Sequence, residues 1–415
     1  MKRFKKVTGI VGLAFCSGLV CFGSGVAQAE LTTLEELGEK LYFDVNLSQP
    51  DGQSCSSCHE PDFGFVDPGS DIPVSEGVLP NRFGGRNSPS AAYAMYAPIL
   101  SFDELENLWI GGQFWDGRAT GELLGDPLAD QALGPFLNPV EMANNSKKQV
   151  IIDVAKSEYA DLFEEVWGPG SLDNIETAYD SVALSIAAFE RTELFAPFSS
   201  KYDAYLKDCL DEGGKKNNCA QGIGPKAKRA GDAIFTSQEW RGMQLFMGEN
   251  DNDGNLKPKE GAMCSACHVA EWTPDPKNVV VPTWSPDGSV PPMFTDFTFD
   301  NLGAPKNTEF PLSATSPPDL GLGPVVNDPD ENGKFKVMSL RNIGLTEPYA
   351  HNGLFKTLKE ITHFYNTRDV EKEGWAAPEY PATMNTAELG NLGLSVGDEN
   401  AIASFMETLS DGYKQ

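Results

Sequence analysis

Two short runs in this chain, Cys55-Ser56-Ser57-Cys58-His59 and Cys264-Ser265-Ala266-Cys267-His268, repeat one arrangement of thiols and imidazole. Such a C-x-x-C-H run suits covalent haem attachment: two thiols bond to the vinyl groups and the adjacent histidine ligates iron from the proximal side. A single C-x-x-C pair could equally be half of a zinc site or a redox dithiol, and the two pairs together could form one four-cysteine zinc site. Zinc leaves both following histidines unexplained. The runs therefore predict two covalently bound haem c groups, the first on Cys55, Cys58 and His59, the second on Cys264, Cys267 and His268.

This chemistry fits an exported chain, and residues 1–29 read as a signal peptide. Lys2, Arg3, Lys5 and Lys6 precede an apolar run from Val7 to Phe22, and Ala27-Gln28-Ala29 offers a small-residue cleavage site before Glu30. The apolar run is short for a membrane span, and no later stretch is long and apolar enough to cross a bilayer. The expectation is a soluble periplasmic protein, cleaved after Ala29 and without a membrane span. Of the eight cysteines, two lie in the signal and four in the haem runs; Cys209 and Cys219 remain as a candidate surface disulfide closing a polar loop. The formal net charge of -28 argues against nucleic acid and anionic membranes as partners, and it steers basic proteins toward the chain.

The elements that must position the runs show a repeat. Thr33-x-x-Glu36 is a capping-box frame ahead of Leu34, Leu37 and Leu41, predicting a helix from Thr33 to Phe43 just before the first run. Thr236-x-x-Glu239, ahead of Trp240, Met243, Phe246 and Met247, repeats that arrangement before the second run. Each half closes on a further helical pattern, Ile175 to Glu190 and Glu399 to Leu409. The polar, Gly- and Lys-rich stretch between about Asp208 and Lys228 marks the boundary, giving an N-terminal domain over residues 30–225 and a C-terminal domain over residues 226–415. Pro and Gly are dense from Pro274 to Pro324, which reads as irregular, with short strands at best near Phe294 to Phe299 and, just beyond it, Lys334 to Met338. The fold class is mainly α: two cytochrome c-like haem domains with long irregular loops.

Further motifs accompany the runs. They are Arg86-Asn87-Ser88-Pro89, Phe114-Trp115-Asp116-Gly117-Arg118, Gln131-Ala132-Leu133-Gly134-Pro135 through Asn138-Pro139-Val140-Glu141-Met142, and Ser339-Leu340-Arg341-Asn342 through Thr346-Glu347-Pro348-Tyr349-Ala350-His351-Asn352-Gly353. Together they resemble the bacterial dihaem cytochrome c peroxidase family, and more narrowly its MauG-like branch, over nearly the whole mature chain.

The resemblance implies a role for particular residues. Members that need reductive activation cap the first iron with a histidine shortly after the first run; here no histidine lies between His59 and His268, which implies a five-coordinate first haem open to hydrogen peroxide. Gln131, Pro135 and Glu141 match the distal pocket. Gln131 would position peroxide, and Glu141 would move protons during O–O cleavage, since one oxygen must lose a proton and the other gain one. Trp115 would relay electrons between the haems. Ordinary members ligate the second iron with methionine, but no methionine occurs between Met338 and Met384, and the matching position is Tyr365, as in MauG. Helical spacing agrees: after the frame Thr357-x-x-Glu360, Leu358, Ile361 and Tyr365 share a stripe, and His363 falls on the opposite, solvated face. A phenolate favours oxidised iron where a thioether favours ferrous iron. Asn87, with the backbone carbonyls of Thr346 and Pro348, matches the family's interhaem calcium site, and hard oxygen ligands suit one calcium ion. Glu249 to Glu260 is a second candidate ion loop, with Asp251, Asp253, Gly254, Leu256 and Glu260 at EF-hand positions.

Three functions compete. The first is a MauG-like oxidoreductase that uses peroxide to form a high-valent dihaem state and oxidises a tryptophan or tyrosine of a periplasmic partner protein. The second is a cytochrome c peroxidase that reduces peroxide with electrons from a small cytochrome or copper protein. The third is a dihaem electron carrier. Tyr365 and the missing distal histidine favour the first over the second, and an open haem counts against the third. MauG itself has a surface tryptophan two residues before its second run; that position is Ala262 here, which implies a different partner or exit route.

Overall fold

The computed structural model describes residues 30–69, 72–248, 261–274, 277–309 and 316–414. The signal peptide and the candidate ion loop Glu249 to Glu260 lie outside the described residues. Twelve helices and four short strands are formed among the described residues, so the chain is mainly helical, as expected. The helices are α1 (Thr33–Phe43), α2 (Pro127–Ala132), α3 (Lys147–Lys156), α4 (Ala160–Trp167), α5 (Ile175–Phe189), α6 (Lys201–Asp211), α7 (Lys216–Ala220), α8 (Gly224–Ile234), α9 (Ser237–Met247), α10 (Gly323–Val326), α11 (Leu358–Thr367) and α12 (Val396–Glu407). No helix is long and apolar enough to cross a membrane.

The repeat is visible in atomic detail. Thr32 caps α1: its hydroxyl accepts from the Glu35 N–H at 3.3 Å, and the Glu35 carboxylate accepts from the Thr32 N–H at 2.7 Å. The box lies one residue earlier than the Thr33 frame, because Thr32-Thr33-Leu34-Glu35-Glu36 contains two overlapping frames and the earlier one adds a residue to the helix. Thr236 and Glu239 form the expected box at α9. Six residues after each cap stands a glycine, Gly38 in α1 and Gly242 in α9. A Cβ on Gly38 would lie 2.0 Å from the Ser185 carbonyl oxygen of α5, and one on Gly242 would lie 1.9 Å from that of Ala401 in α12. Each haem run is thus preceded by a helix whose backbone touches the closing helix of its half.

Two hydrophobic cores follow. In the first, Tyr42, Phe189 and Phe195 meet edge to face; in the second, Phe246, Phe294 and Phe405 do the same. Such pairs add roughly 0.5–1.5 kcal/mol each beyond area burial. Along the chain the first core is built up to Phe198 and the second begins at Tyr202, ahead of the polar stretch that marked the boundary in the sequence, but Val290 and Met293 return to the first core. That stretch is largely helical: α6, α7 and α8 wrap Tyr202, Tyr205, Cys209, Cys219 and Ala230 into the second core. The Cys209–Cys219 disulfide forms, but it is buried within this core and is no surface staple.

The irregular region keeps two strands, β4 (Phe335–Lys336) within the expected range and β3 (Phe299–Asp300) at the far end of its expected range and one residue beyond, paired antiparallel with Phe299 opposite Lys336. A second hairpin, β1 (Ser101–Asp103) with β2 (Leu108–Ile110), was not foreseen; its strands are too short for alternation to show. Arg341 locks the second half together from inside: its guanidinium holds the Asp203 carboxylate at 2.8 and 2.9 Å, with both groups buried.

Gly38→Ala and Gly242→Ala are each expected to cost about 1–3 kcal/mol, the usual overpacking penalty. Urea unfolding checks this, and an unshifted midpoint in either variant would show that close backbone approach does not hold that helix pair.

Candidate functional site

Both C-x-x-C-H runs open with a tight turn, Cys55–Ser57 and Cys264–Ala266, that brings the following histidine to a cavity wall. His59 Nδ1 lies 3.2 Å from the Phe65 carbonyl oxygen, and His268 Nδ1 lies 2.9 Å from that of Phe294. A carbonyl can only accept, so each Nδ1 carries the proton and each Nε2 keeps its lone pair for a metal. Burial lowers the pKa of both imidazoles, only partly opposed by these bonds, and keeps them neutral as ligation requires. Phe65 and Phe294 both adopt left-handed backbone, φ 61° and 56°. Bulky residues held there cost on the order of 1–3 kcal/mol each, and neither was legible in the sequence.

The cysteines fit haem attachment and not zinc. Cys55 and Cys58 line one cavity, Cys264 and Cys267 another, so no four-cysteine site forms. None of the four is in a disulfide. Burial pushes the Cys58, Cys264 and Cys267 thiols up to about 12 and Cys55 upward as well. Zinc demands thiolates, whereas thiols are what adds across a vinyl group. Among the described residues no cluster of three or more His, Cys, Asp or Glu is placed to hold a metal ion.

The first cavity, about 460 Å³, gathers Gln131, Pro135 and Glu141 on one lining with the first haem run. Asp126 caps α2 and so aims Gln131 inward, and the turn beginning at Pro135 carries the chain to Glu141. Burial raises the Glu141 pKa, with Arg118 and a 2.7 Å bond from Asn138 Nδ2 offsetting part of the rise. Arg118, a lining residue with no assigned role in the sequence, stacks 3.7 Å over Phe114 and pairs with Asp116 at 3.0 Å. His59 is the one histidine on this cavity's lining.

His268 and Tyr365 line the second cavity. The Tyr365 hydroxyl has no hydrogen-bond partner among the described residues, and burial, with Cys267 and Asp300 nearby, raises its pKa. An oxidised iron at that oxygen is the group that would offset this. Met338 also lines the cavity, but its backbone lies against His268, on the proximal side. His363 keeps about a third of its side chain exposed, at 35%, while its Nδ1 lies 2.9 Å from the Glu399 carboxylate of α12. His351 was missed as a lining residue; it stacks on Phe335 at 3.6 Å.

Trp115 lines both cavities and donates its Nε1–H to the Asn87 carbonyl at 2.9 Å. Asn87, Thr346 and Pro348 share one cavity wall. The Asn87 amide nitrogen donates to Pro73 at 3.1 Å, which turns its oxygen the other way. That oxygen and the carbonyls of Thr346 and Pro348 accept no hydrogen bond among the described residues, as a hard cation's ligands should not. Ala262 is buried in the second core, so no surface group stands at that position.

A helical chain with two separate thioether-type haem sites, one facing an acid and an amide and the other a tyrosine, is a dihaem c-type oxidoreductase. Residues 32–210 match the family described as di-haem cytochrome c peroxidase. The chain is 33% identical over 398 residues to the methylamine utilization protein MauG of Paracoccus denitrificans (strain Pd 1222), covering 91% of this chain and 88% of that protein. It is 27% identical over 385 residues to the cytochrome c551 peroxidase of Pseudomonas aeruginosa, covering 90% and 78%. The fold matches the diheme peroxidase BthA from Burkholderia thailandensis E264 with a TM-score of 0.73 and 27% identity, over 92% and 87% of the two chains. The chain belongs to the di-haem cytochrome c peroxidase family, whose fold is cytochrome c-like, and it is an oxidoreductase acting on hydrogen peroxide with two c-type haems.

If Glu141 takes the peroxide proton, its carboxylate form is the active one. Glu141→Gln should then slow the reaction with peroxide by about 10²–10⁴-fold. Because burial raises its pKa, the wild-type rate should fall with decreasing pH at a point above the ordinary 4.5. Stopped-flow rates across pH check both; a Gln variant with the wild-type rate and limb removes Glu141 from proton transfer.

Proposed function

We propose that this is a MauG-like periplasmic enzyme that uses hydrogen peroxide to oxidise a tryptophan or tyrosine of a partner protein. The observation that carries this reading is the asymmetry of the cavities, with no second histidine lining the first and Tyr365 lining the second. When bound, the haems would supply the redox chemistry. Everything else falls to side chains. Glu141 accepts the proton from one peroxide oxygen and returns it to the other, Gln131 orients the molecule by hydrogen bonding, and the ring of Pro135 excludes water without offering a donor. His59 would hold the first iron, and His268 and Tyr365 would hold the second. Trp115, common to both cavities, is the relay between them. The N-terminal half then meets peroxide and the C-terminal half exchanges electrons with the partner. Since Ala262 is buried, electrons from the partner enter elsewhere on the surface.

Peroxide added to the purified, fully oxidised protein should produce haem and near-infrared absorption changes that persist without a donor, and Tyr365→Phe should alter the second-haem spectrum and shorten their lifetime. Rapid turnover with a reduced small cytochrome, seen only after half-reduction, would assign the chain to simple peroxide removal instead. An unchanged second-haem spectrum in Tyr365→Phe would remove the tyrosine as a ligand.

We also propose one calcium ion at Asn87 and the carbonyls of Thr346 and Pro348, supported by their unused oxygens. Chelation should perturb both haem spectra, with calcium restoring them; protein that is calcium-free by metal analysis yet spectrally intact would overturn the assignment.

A further inference from the structure

Glu190 has no part in the chemistry above, yet it is placed where it must matter. It follows α5 directly and is 5% exposed. It lines the first cavity, and its Oε2 is enclosed without any hydrogen-bond partner. A carboxyl buried this way is either kept protonated or partnered by a charge that appears during function. The groups facing it are few. Arg191 follows it in the chain and Asp126 caps α2; Tyr42 comes from α1 and Cys55 from the first haem run. Arg191 is not free to neutralise it, since its guanidinium is paired with Asp126 at 2.7 Å. That pair is only partly buried, at 23% and 20% side-chain exposure.

The charge of Glu190 is also felt where the first haem is anchored. It raises the pKa of the Cys55 thiol and of the Tyr42 hydroxyl, each second to burial, and that hydroxyl donates to the His59 carbonyl at 2.7 Å. The charge therefore lies on the attachment side of the cavity, apart from the Glu141 and Asn138 pair.

We propose that Glu190 is a positioning residue for the redox step of the first haem: its carboxylate takes up one proton as that haem gains one electron and releases it when the electron leaves. The balance is one electron from the donor protein, or from an electrode, and one proton from water. Losing a positive charge from the haem makes a nearby anion more costly in an enclosed site, so the proton follows the electron. Burial pushes the Glu190 carboxyl up to about 8, which places the coupling within the working range of an exported protein. The inference rests on the first haem alone and does not require a particular partner or the MauG-like reading.

The test is a spectroelectrochemical titration of the full two-haem protein at a series of pH values between about 6 and 9, following the first haem's own bands. In the wild type its reduction equilibrium should shift about tenfold per pH unit across part of that range, as one proton per electron requires. Glu190→Gln should abolish the dependence while keeping two haems per chain, and Glu190→Asp should restore it. A Gln variant that keeps the wild-type slope would assign the proton to another group, such as a haem propionate, and overturn the proposal. A wild-type potential that does not change with pH would overturn it as well. Should the Gln variant load haem poorly, the Asp variant decides: a slope displaced along the pH axis supports the assignment, and an undisplaced one sinks it.

Discussion

Each proximal histidine is held by one hydrogen bond from its Nδ1 to a phenylalanine carbonyl, and the rest of the molecule depends on that bond. It fixes the tautomer, and with it which nitrogen can meet iron. The carbonyls point the right way because Phe65 and Phe294 take a backbone conformation that bulky residues avoid, so the surrounding core must hold them there. The two aromatic clusters do this, one around Phe195 and Tyr42, the other around Phe294 itself. The halves are not equal, however. Ten residues after the cap of α1 stands Tyr42, and ten after the cap of α9 stands Phe246, which has no hydroxyl. The first histidine therefore has its backbone carbonyl tied by a phenol, and the second does not. The asymmetry between the two sites begins on the proximal side, before any distal residue is considered.

The two cavities treat buried charge differently. The first brings two carboxyls into an enclosed space and raises both, Glu141 near Arg118 and Glu190 without a free cation. The second presents a phenol whose burial favours its neutral form. Carboxyls whose hold on a proton is strengthened by burial suit a site where bonds to hydrogen are made and broken. A phenol that gives up its proton only when a strong cation binds its oxygen suits the proposed task of holding an oxidised metal. Burial alone would penalise every one of these groups equally; what differs is the partner that each cavity supplies.

How much of this was legible follows from what each feature needs from its residues. The haem runs, Glu141, Gln131 and Tyr365 require specific side-chain chemistry, and the structure places each of them on the lining of a cavity. The bonds that orient the histidines need only a carbonyl, which any residue supplies, so Phe65 and Phe294 left no mark in the sequence. Helices α6 to α8 were hidden by their lysines and asparagines, although the tyrosines they bury were there to be counted. His363 shows the limit of a helical wheel: it is partly exposed as expected, yet a buried glutamate of α12 meets it, which no wheel could show. Glu190 was read as the polar end of an apolar helix, and nothing in composition separates that from a carboxyl pointed into a cavity.

The wall between the cavities is where these parts have to act together. Arg86 grips Asp319 with two bonds at 2.7 and 2.8 Å and reaches Asp116 at 2.6 Å, and Asp319 and Trp115 both line the two cavities. Burial would raise Asp319, but the guanidinium more than reverses it and keeps the carboxylate charged. Breaking a partly buried pair of this kind leaves a charge without a partner, so the arrangement resists small displacements. Trp115 is fastened to the same wall through the Asn87 carbonyl, and Asn87 takes a backbone bond from its own N–H to His351 at 2.8 Å. Electron exchange over a fixed gap needs no motion of the protein, only that the gap not vary. A rigid, charge-locked partition therefore suits an oxidoreductase with a redox group on either side of it.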